Sequence, residues 1–242
     1  MRADLVSGAR EQERQRLLAQ YAEIATLAGG LAHEIKNPLS TISLNLELLL
    51  EDLAEDTSPH NHRRLTKIRN VQRECGHLED ILNAFLQFAR AGELELVEGD
   101  LNAIVSKFID FYQPQAAESN IEISPHLATD LSMVLLDESL IRQVLLNLAI
   151  NAQQAMPDGG LLEILTRLHE GKVCLEMIDT GLGMDERARE KMFQVFFSTK
   201  QGGSGLGLPT VRKIVEAHHG TISCDSDLGR GTRFTISLPP IV

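Results

Sequence analysis

Residues 174–184, CLEMIDTGLGM, decide the fold of the second half of the chain. The apolar run before Asp179 predicts a buried strand, and Asp179 stands where that strand ends. Gly181 and Gly183 follow, and glycine lets the backbone approach a flat ligand closely. An aspartate acceptor beside such a backbone suits an exocyclic amine. The Asp-x-Gly-x-Gly pattern alone, however, is equally compatible with an ordinary turn.

Two asparagines lie upstream of this segment, on the helix predicted for Glu138 to Met156. Asn147 and Asn151 are four residues apart, so their amides share one face of that helix. Amide oxygens can ligate Mg²⁺ while water and nucleotide phosphates complete its octahedral shell. Taken alone, two helical asparagines are more often caps or polar surface residues.

Downstream, residues 202–208, GGSGLGL, open the helix predicted for Leu206 to His219. Free backbone N–H groups at a helix N-terminus favour a phosphate. The loop lacks the Gly-Lys-Ser/Thr of a Walker motif, and no strand directly precedes it as a dinucleotide fingerprint requires. One glycine-rich loop is a weak signal. The order of amide helix, Asp-x-Gly-x-Gly turn and glycine-rich helix start is far more specific than any single member.

Short β-rich runs alternate with helical stretches from about Gly92 onward, which predicts an α/β layer arrangement. The domain boundary is predicted near Ala91 to Glu93, giving domains 1–92 and 93–242. The predicted strands are Ile121–Ser124, Met133–Leu136, Leu161–Leu168, Val173–Ile178, Thr221–Ser223 and Phe234–Leu238, and the predicted helices are Leu101–Glu118, Glu138–Met156 and Leu206–His219.

Apolar residues in the first 92 positions recur at spacings of three and four, the pattern of helices that pack on other helices. They form two such series, one up to Leu53 and one from Ile68 to Ala89, which predicts a helical hairpin. An extra four-residue step around Pro38 predicts a bend. A hairpin alone buries too little surface, so we expect a homodimer through a four-helix bundle. The predicted fold class is α+β: this dimerising hairpin followed by an α/β sandwich.

His33 points away from the apolar series. At about 100° per residue it lies about 180° from the direction shared by Leu31 and Ile35. Asn37 projects on nearly the same outward face and Glu34 is adjacent, so an imidazole, a carboxylate and an amide are available for acid–base or nucleophilic chemistry. From periodicity alone, an exposed helical histidine is more often an ordinary surface residue. A zinc site is rejected, because Asn37 stands where His-Glu-x-x-His requires its second histidine.

Composition excludes several classes of function. The 242 residues carry 23 Lys and Arg against 34 Asp and Glu, a net charge of −11 that disfavours nucleic-acid and anionic membrane partners. Cys75, Cys174 and Cys224 form no Cys-x-x-Cys pair, which argues against a zinc cluster or a disulfide framework. No apolar run approaches the roughly 18 residues of a membrane span. We therefore expect a soluble, cytoplasmic chain.

Taken together, the motifs resemble the catalytic core of bacterial two-component sensor histidine kinases, over about Leu17 to Pro240. The resemblance rests on six segments in the family's order. These are an H box at Leu27–Ile42 (LAGGLAHEIKNPLSTI), an N box at Gln143–Met156 (QVLLNLAINAQQAM), glycine boxes at Asp179–Met184 (DTGLGM) and Gly203–Leu208 (GSGLGL), an F box at Met192–Phe197 (MFQVFF) and the closing strand Gly231–Leu238 (GTRFTISL). The segment FFSTK, Phe196–Lys200, is most similar to the nitrogen-regulation-type branch.

The resemblance implies that residues 1–92 form the dimerisation and histidine-phosphotransfer domain. It implies that ATP phosphorylates His33, with Glu34 as general base or hydrogen-bond partner. The phosphoryl group would then pass to an aspartate in the receiver domain of a response regulator. Asn37 completes the family's E-x-x-N pattern, in which the amide orients a water that dephosphorylates the regulator.

For residues 93–242 the resemblance implies a Bergerat-type ATP-binding domain with ATP and Mg²⁺ as its ligands. Asp185–Gln201 would be the ATP lid, with Phe196 and Phe197 as its apolar anchor and Lys200 neutralising the γ-phosphate. Gln154 stands where many relatives carry a phosphate-contacting lysine, and Lys200 is expected to supply that charge. The other implied ligand contacts are adenine at Asp179 with Thr232 through water, Mg²⁺ at Asn151 beside Asn147, and the nucleotide along Gly181, Gly183, Gly203, Gly205, Leu206, Gly207 and Leu208.

Two alternatives remain at the level of sequence. One is a relative with the same ATP fold that only hydrolyses ATP or phosphorylates serine, against which the H box argues. The other is a non-enzymatic dimeric signalling scaffold, for which intact nucleotide motifs have no use. Since no sensor domain precedes the hairpin, the soluble core of a longer, membrane-attached sensor is a further interpretation.

Overall fold

The structure is a computed structural model that describes residues 35–51, 53, 59–91, 94–200 and 203–241. The chain divides into two compact units, and the division falls between Arg90 and Ala91. Within the described residues, no helix is both long enough and apolar enough to cross a bilayer.

Two long helices make up the described part of the first unit. Helix α1 is helical over residues 35–51, through Pro38, and α2 spans Pro59–Arg90. Leu39, Cys75 and Ala89, three members of the predicted apolar series, are buried. The helical hairpin region predicted from the spacing is therefore present, while the bend at Pro38 stays a prediction.

Other apolar side chains of these helices remain exposed at seven-residue intervals. Ile35, Ile42 and Leu49 in α1 are 40%, 44% and 47% exposed, and Val71 and Leu78 in α2 are 48% and 51% exposed. Seven residues are about two helical turns, so each set lies along one side of its helix. We refer to these five residues as the heptad stripe. Within the part of the chain that the structure describes, this stripe lacks the apolar cover that such a pattern normally has.

The second unit contains seven described strands: β1 Val97–Gly99, β2 Ile121–Leu127, β3 Val134–Leu136, β4 Gly160–His169, β5 Lys172–Asp179, β6 Thr221–Asp227 and β7 Gly231–Leu238. Five of them form a sheet in the order β2-β4-β5-β7-β6. Strands β2 and β4 are parallel, and the other neighbours in this sheet are antiparallel. A separate two-stranded ribbon pairs β1 with β3.

Three helices of the second unit, α3 Leu101–Glu118, α4 Glu138–Ala155 and α6 Gly207–Ala217, share one apolar core with the sheet. Asp100 and Asp137 cap α3 and α4, because their carboxylates accept hydrogen bonds from backbone N–H groups of the first turn. A short helix, α5 Glu186–Lys191, is capped in the same way by Asp185. The core contains Val173, Leu175 and Met177 of β5, the alternate positions of that strand.

The sequence-based elements agree with this arrangement, and the α+β class is confirmed. Helix α3 has the predicted bounds, and α4 ends one residue earlier than predicted. Two short elements, β1 and α5, were not predicted, because three or six residues give too short a periodic signal.

His218 connects α6 to α4. Its ring is 2% exposed, and its Nε2 accepts a hydrogen bond from the Asp137 backbone N–H at 2.9 Å. Nε2 must therefore be unprotonated, so Nδ1 carries the proton and donates it to the Ile214 carbonyl at 2.8 Å. Burial lowers the pKa of His218. The end of α6 and the cap of α4 are thus joined through a neutral imidazole.

Candidate functional site

Asp179 ends β5 as a buried carboxylate, 6% exposed. Its Oδ1 accepts a hydrogen bond from the Gly181 N–H at 2.9 Å, and Thr232 lies directly opposite on β7. Burial raises the pKa of Asp179, whereas backbone hydrogen bonds from Gly181 and Thr232 and the charge of Lys200 act in the other direction. The sheet register thus brings together two residues that the sequence assigned to one ligand from separate motifs.

The Thr232 hydroxyl is oriented by Ser226, a residue that the sequence did not single out. Ser226 Oγ donates to the Gly231 carbonyl at 2.9 Å and lies 3.0 Å from Thr232 Oγ1. Since the single Ser226 hydroxyl proton is used on the carbonyl, Thr232 must donate to Ser226. The remaining lone pairs of Thr232 are left as acceptors beside Asp179. Only the pairing of β6 with β7 reveals this, because Ser226 and Thr232 are opposed there.

Three amides lie along one face of α4, at spacings of four and three residues. They belong to Asn147, Asn151 and Gln154. The Lys200 ammonium donates to Gln154 Oε1 at 2.6 Å and to Asn151 Oδ1 at 3.3 Å. A cation carried by the predicted lid thus contacts the predicted metal-binding helix.

Lys200 as a residue is exposed, yet its ammonium is partly withdrawn from water at this contact. Burial lowers the pKa of Lys200, and the negative charge of Asp179 opposes that change. The backbone is held as well, because the Lys200 N–H donates to Ser198 Oγ at 3.1 Å. Lys200 and Asp179 therefore influence each other's protonation within one site.

Gly181 packs the Asp-x-Gly-x-Gly turn against the end of α4. A Cβ at this position would lie 2.6 Å from the Ala155 carbonyl oxygen, closer than real Cβ contacts allow. The neighbouring Leu182 N–H donates to the same carbonyl at 3.0 Å. The glycine is therefore required for contact between two segments that were predicted separately, and it brings Asp179 near the amide face.

The glycine-rich loop ends at a helix N-terminus without a side-chain cap. Leu206 is the N-cap of α6, and no side-chain hydrogen bond caps this end. The Asn147 amide oxygen lies 3.4 Å from where a Gly207 Cβ would stand, so the amide face of α4 reaches this N-terminus. Uncapped N–H groups at a helix start are suited to an anion. Leu206 is fully buried, backbone included, so its contact with a ligand stays a prediction.

The predicted lid packs on the core through other side chains than those expected from the sequence. Met192 is 8% exposed, Phe193 packs against the core, and the Arg212 guanidinium lies 5.6 Å from the centre of the Phe193 ring. Phe196 is instead 64% exposed and adopts a left-handed backbone with φ of 65°. The prediction that Phe196 anchors the lid is wrong, because its backbone follows the turn bonded to Gly205 and directs the ring outward.

The donor set fits Mg²⁺ only together with a ligand that brings its own oxygens. The described residues contain no cluster of three or more His, Cys, Asp or Glu side chains that could hold a metal ion. Mg²⁺ commonly takes one or two protein oxygens and completes its shell with water and phosphate. The amide oxygens of Asn147 and Asn151 match that requirement, since both residues are half-buried and Asn147 lies beside the uncapped start of α6.

The predicted catalytic residues of the first unit are only partly described. His33 and Glu34 lie outside the described residues. Asn37 is an exposed residue of α1, and its carbonyl accepts a hydrogen bond from Thr41 Oγ1 at 3.0 Å. The residues that the structure brings together are thus those assigned to the nucleotide, all in the second unit.

Two family models match the chain. One describes a histidine kinase-, DNA gyrase B- and HSP90-like ATPase and matches residues 136–241. The other describes the His kinase A phospho-acceptor domain and matches residues 23–94. The chain is 32% identical over 232 residues to the signal transduction histidine-protein kinase AtoS of Escherichia coli strain K12, covering 94% of this chain and 37% of AtoS. It spans less than half the length of the first curated relatives that it matches.

Solved structures of histidine kinases share this fold. The catalytic domain of ThkA is 30% identical with a TM-score of 0.56, covering 61% of this chain and 97% of that domain. Full-length ShkA in complex with AMPPNP is 28% identical with a TM-score of 0.69, covering 90% of this chain and 46% of ShkA. ThkA in complex with the response regulator protein TrrA is 26% identical with a TM-score of 0.64, covering 98% of this chain and 67% of that chain.

Proposed function

Because this chain belongs to the two-component histidine kinases, we propose that it binds Mg²⁺ and ATP in its second unit and transfers the γ-phosphoryl group to His33. The observation that carries the proposal is the contact between the Lys200 ammonium and the amide face of α4. This contact joins the lid, the candidate metal ligands and the surroundings of Asp179 into one site. ShkA, whose structure contains AMPPNP, supports a triphosphate as the ligand.

Adenine recognition follows from the buried acceptors. The Asp179 carboxylate would accept a hydrogen bond from the exocyclic amine, and the free lone pairs of Thr232 would hold a water or a second donor. Ser226 supports this role, because it consumes the Thr232 proton and leaves only acceptors. A site made of acceptors selects for an amine and against a carbonyl at the same position.

A positive side chain and free backbone N–H groups would bind the phosphates. Lys200 supplies a charge, and the uncapped N-terminus of α6 supplies backbone N–H groups next to Asn147. Asn151 and Asn147 would hold Mg²⁺, which when bound neutralises charge that develops on the phosphates. In phosphoryl transfer, positioning and charge stabilisation supply most of the catalysis.

The transfer step assigned to His33 and Glu34 rests on the H box and on the phospho-acceptor family model over residues 23–94. An imidazole nitrogen of His33 would attack the γ-phosphorus while the bond to the bridging oxygen of ADP breaks. ADP leaves with the electron pair of that bond. Glu34 would accept the imidazole proton or hold it in a hydrogen bond, which raises the nucleophilicity of the attacking nitrogen.

A response regulator receiver domain is the proposed second partner. ThkA has been solved with the response regulator protein TrrA, and that structure covers nearly all of this chain. Leu44 and Leu48 are 58% and 50% exposed, and on α1 they lie within about 20° of the direction of Asn37. Exposed leucines on this face suit an apolar docking contact. Asn37 would there orient the water that dephosphorylates the regulator.

The heptad stripe is the proposed dimer surface. Its residues Ile42 and Leu49 project about 140° and about 120° away from Asn37, so a second copy could cover the stripe while the regulator face stays open. Helices with an apolar stripe of this spacing associate into bundles. The predicted cytoplasmic location stays a prediction.

A labelling experiment separates the proposal from its rivals. We expect the chain to acquire acid-labile, base-stable radiolabel from Mg²⁺ and γ-labelled ATP, as phosphohistidine does. His33→Gln should abolish the label and leave nucleotide affinity unchanged, because the nucleotide residues belong to the other unit. ATP hydrolysis without label would favour an ATPase, acid-stable label on a partner a serine kinase, and neither activity a scaffold. Label that persists in His33→Gln would move the acceptor to another histidine.

A further inference from the structure

Gln154 holds the Lys200 ammonium more closely than any other described side chain does. The distance from Lys200 Nζ is 2.6 Å to Gln154 Oε1 and 3.3 Å to Asn151 Oδ1. Both acceptors project from the same face of α4, three residues apart. The position of this cation is therefore set jointly by a candidate metal ligand and by a neighbour with no assigned role.

An amide is chemically suited to hold this cation. Lysine is a flexible point charge with three N–H donors and no fixed geometry of its own. A neutral carbonyl oxygen fixes such an ammonium without cancelling its charge, whereas a carboxylate at the same place would neutralise it. Gln154 and Asn151 engage two of the three donors, so one remains for a further acceptor. If Mg²⁺ takes the Asn151 oxygen, the Gln154 contact remains and a second donor is released.

The other end of Lys200 is held independently. Its N–H donates to Ser198 Oγ at 3.1 Å, and its carbonyl accepts from Ser198 Oγ at 3.2 Å and from the Gly203 N–H at 3.3 Å. With the backbone tethered in this way, the remaining freedom lies in the four-carbon stem. The Gln154 contact removes that freedom at the tip.

We propose that Gln154 is a positioning residue: its amide oxygen holds the Lys200 ammonium beside Asn151, so that the free donor meets the terminal phosphate of a bound nucleoside triphosphate. The inference rests on the proposed function, which takes Lys200 as a phosphate contact. Gln154 itself touches neither the phosphate nor the histidine. Its effect is to select triphosphate over diphosphate, because the terminal phosphate alone distinguishes the two.

Calorimetry with AMPPNP and ADP on the full chain tests this assignment. Gln154→Met keeps the length of the side chain and removes the acceptor. We expect it to lower the preference for AMPPNP over ADP by about three- to tenfold, the range between an exposed ion contact and a charged hydrogen bond. The affinity for ADP should stay within about twofold. Gln113→Met, the same change on an exposed position of α3, is the matched control and should change neither affinity.

A double-mutant cycle with Lys200→Met isolates the coupling. If Gln154 acts through Lys200, Gln154→Met has no further effect once the ammonium is gone. Equal effects in both backgrounds, no effect in the unmodified background, or equal binding of AMPPNP and ADP by the unmodified chain would each overturn the inference. The cycle needs no phosphohistidine. If the chain is not labelled by γ-labelled ATP but Gln154 and Lys200 are coupled, the proposed function alone is wrong. If the chain is labelled but the two residues are not coupled, the positioning role alone is wrong.

Discussion

At the scale of single residues, the site depends on buried groups whose hydrogen-bond partners determine which atoms donate and which accept. Asp179 is such a group, since its position at the strand end and its backbone hydrogen bonds present an acceptor. The sequence singled out this residue, and its role toward adenine stays a prediction. It could not predict Ser226, which directs the Thr232 proton, because that role exists only in the sheet register.

The first prediction concerns the Asp179 acceptor. Asp179→Asn should weaken ATP binding, because an amide can present a donor where the adenine amine needs an acceptor. Loss of a charged hydrogen bond in a buried site costs about 1.5 to 3 kcal/mol, or roughly ten- to a hundredfold in affinity. Calorimetry measures this directly, with Asp110→Asn on an exposed face of α3 as the control. Unchanged affinity would mean that Asp179 is a turn residue only.

The second prediction concerns pH and His218. Its pKa is lowered on folding, so at low pH the unfolded chain binds a proton that the folded chain does not. The contribution of neutral His218 to the free energy of unfolding is therefore complete above pH 6.5, its ordinary pKa. It is lost as the pH falls through the lower pKa of the folded state. When the pH is lowered from about 7.5 to about 5.5, the free energy of unfolding measured with urea should fall more for the native chain than for His218→Gln. His169→Gln, at an exposed position, should behave as the native chain, and equal losses in all three would contradict the prediction.

At the scale of elements, the sequence predicted what long periodic segments encode. Helices α3 and α4 were found to within one residue, because their apolar periodicity agrees with aspartate caps at Asp100 and Asp137. Helix α5 was missed, since six residues within a lid carry no periodic signal. The lid anchor was assigned to the pair Phe196 and Phe197, of which Phe196 is exposed, for a related reason. Phe193, Phe196 and Phe197 look equivalent in sequence, and only the backbone of the turn separates them.

The third prediction tests that lid anchor. Phe193→Ala removes a ring packed on the core beneath Arg212 and should lower stability by about 1 to 3 kcal/mol. Phe196→Gly removes an exposed ring, and relief of the left-handed backbone offsets the flexibility of glycine, so stability should change by less than about 0.5 kcal/mol. Thermal unfolding of both variants provides the comparison. A larger loss of stability for Phe196→Gly than for Phe193→Ala would mean that Phe196 anchors the lid.

At the scale of the whole molecule, the predicted phospho-acceptor and the predicted nucleotide ligands belong to different units. The residues assigned to the nucleotide belong to one unit and those assigned to the acceptor and its partners to the other. The heptad pattern predicted a helical hairpin, but the sequence alone could not tell which members of each apolar series are buried in one chain. The structure leaves the α1 residues of the heptad stripe on one side of that helix and Leu44 with Leu48 on another.

The fourth prediction separates these two surfaces. Ile42→Glu introduces a charge into the heptad stripe and should shift the chain from dimer to monomer, whereas Leu44→Glu should leave the dimer intact and weaken transfer to a regulator. Burial of an unpaired charge in an apolar interface is expected to cost several kcal/mol. Sedimentation reports the first effect, and phosphotransfer from labelled chain the second. Two variants with the same oligomeric state would show that the stripe is not the dimer surface.

The hydrogen bond from the Phe196 N–H to the Gly205 carbonyl, 3.0 Å long, has a kinetic consequence. Both residues have a left-handed backbone, and a Gly205 Cβ would lie 2.5 Å from the Phe196 carbonyl carbon, so the two turns are in close backbone contact. We therefore expect the aromatic turn of the predicted lid and the glycine loop at the start of α6 to relax together. A spectroscopic label on either segment should then report one common rate constant.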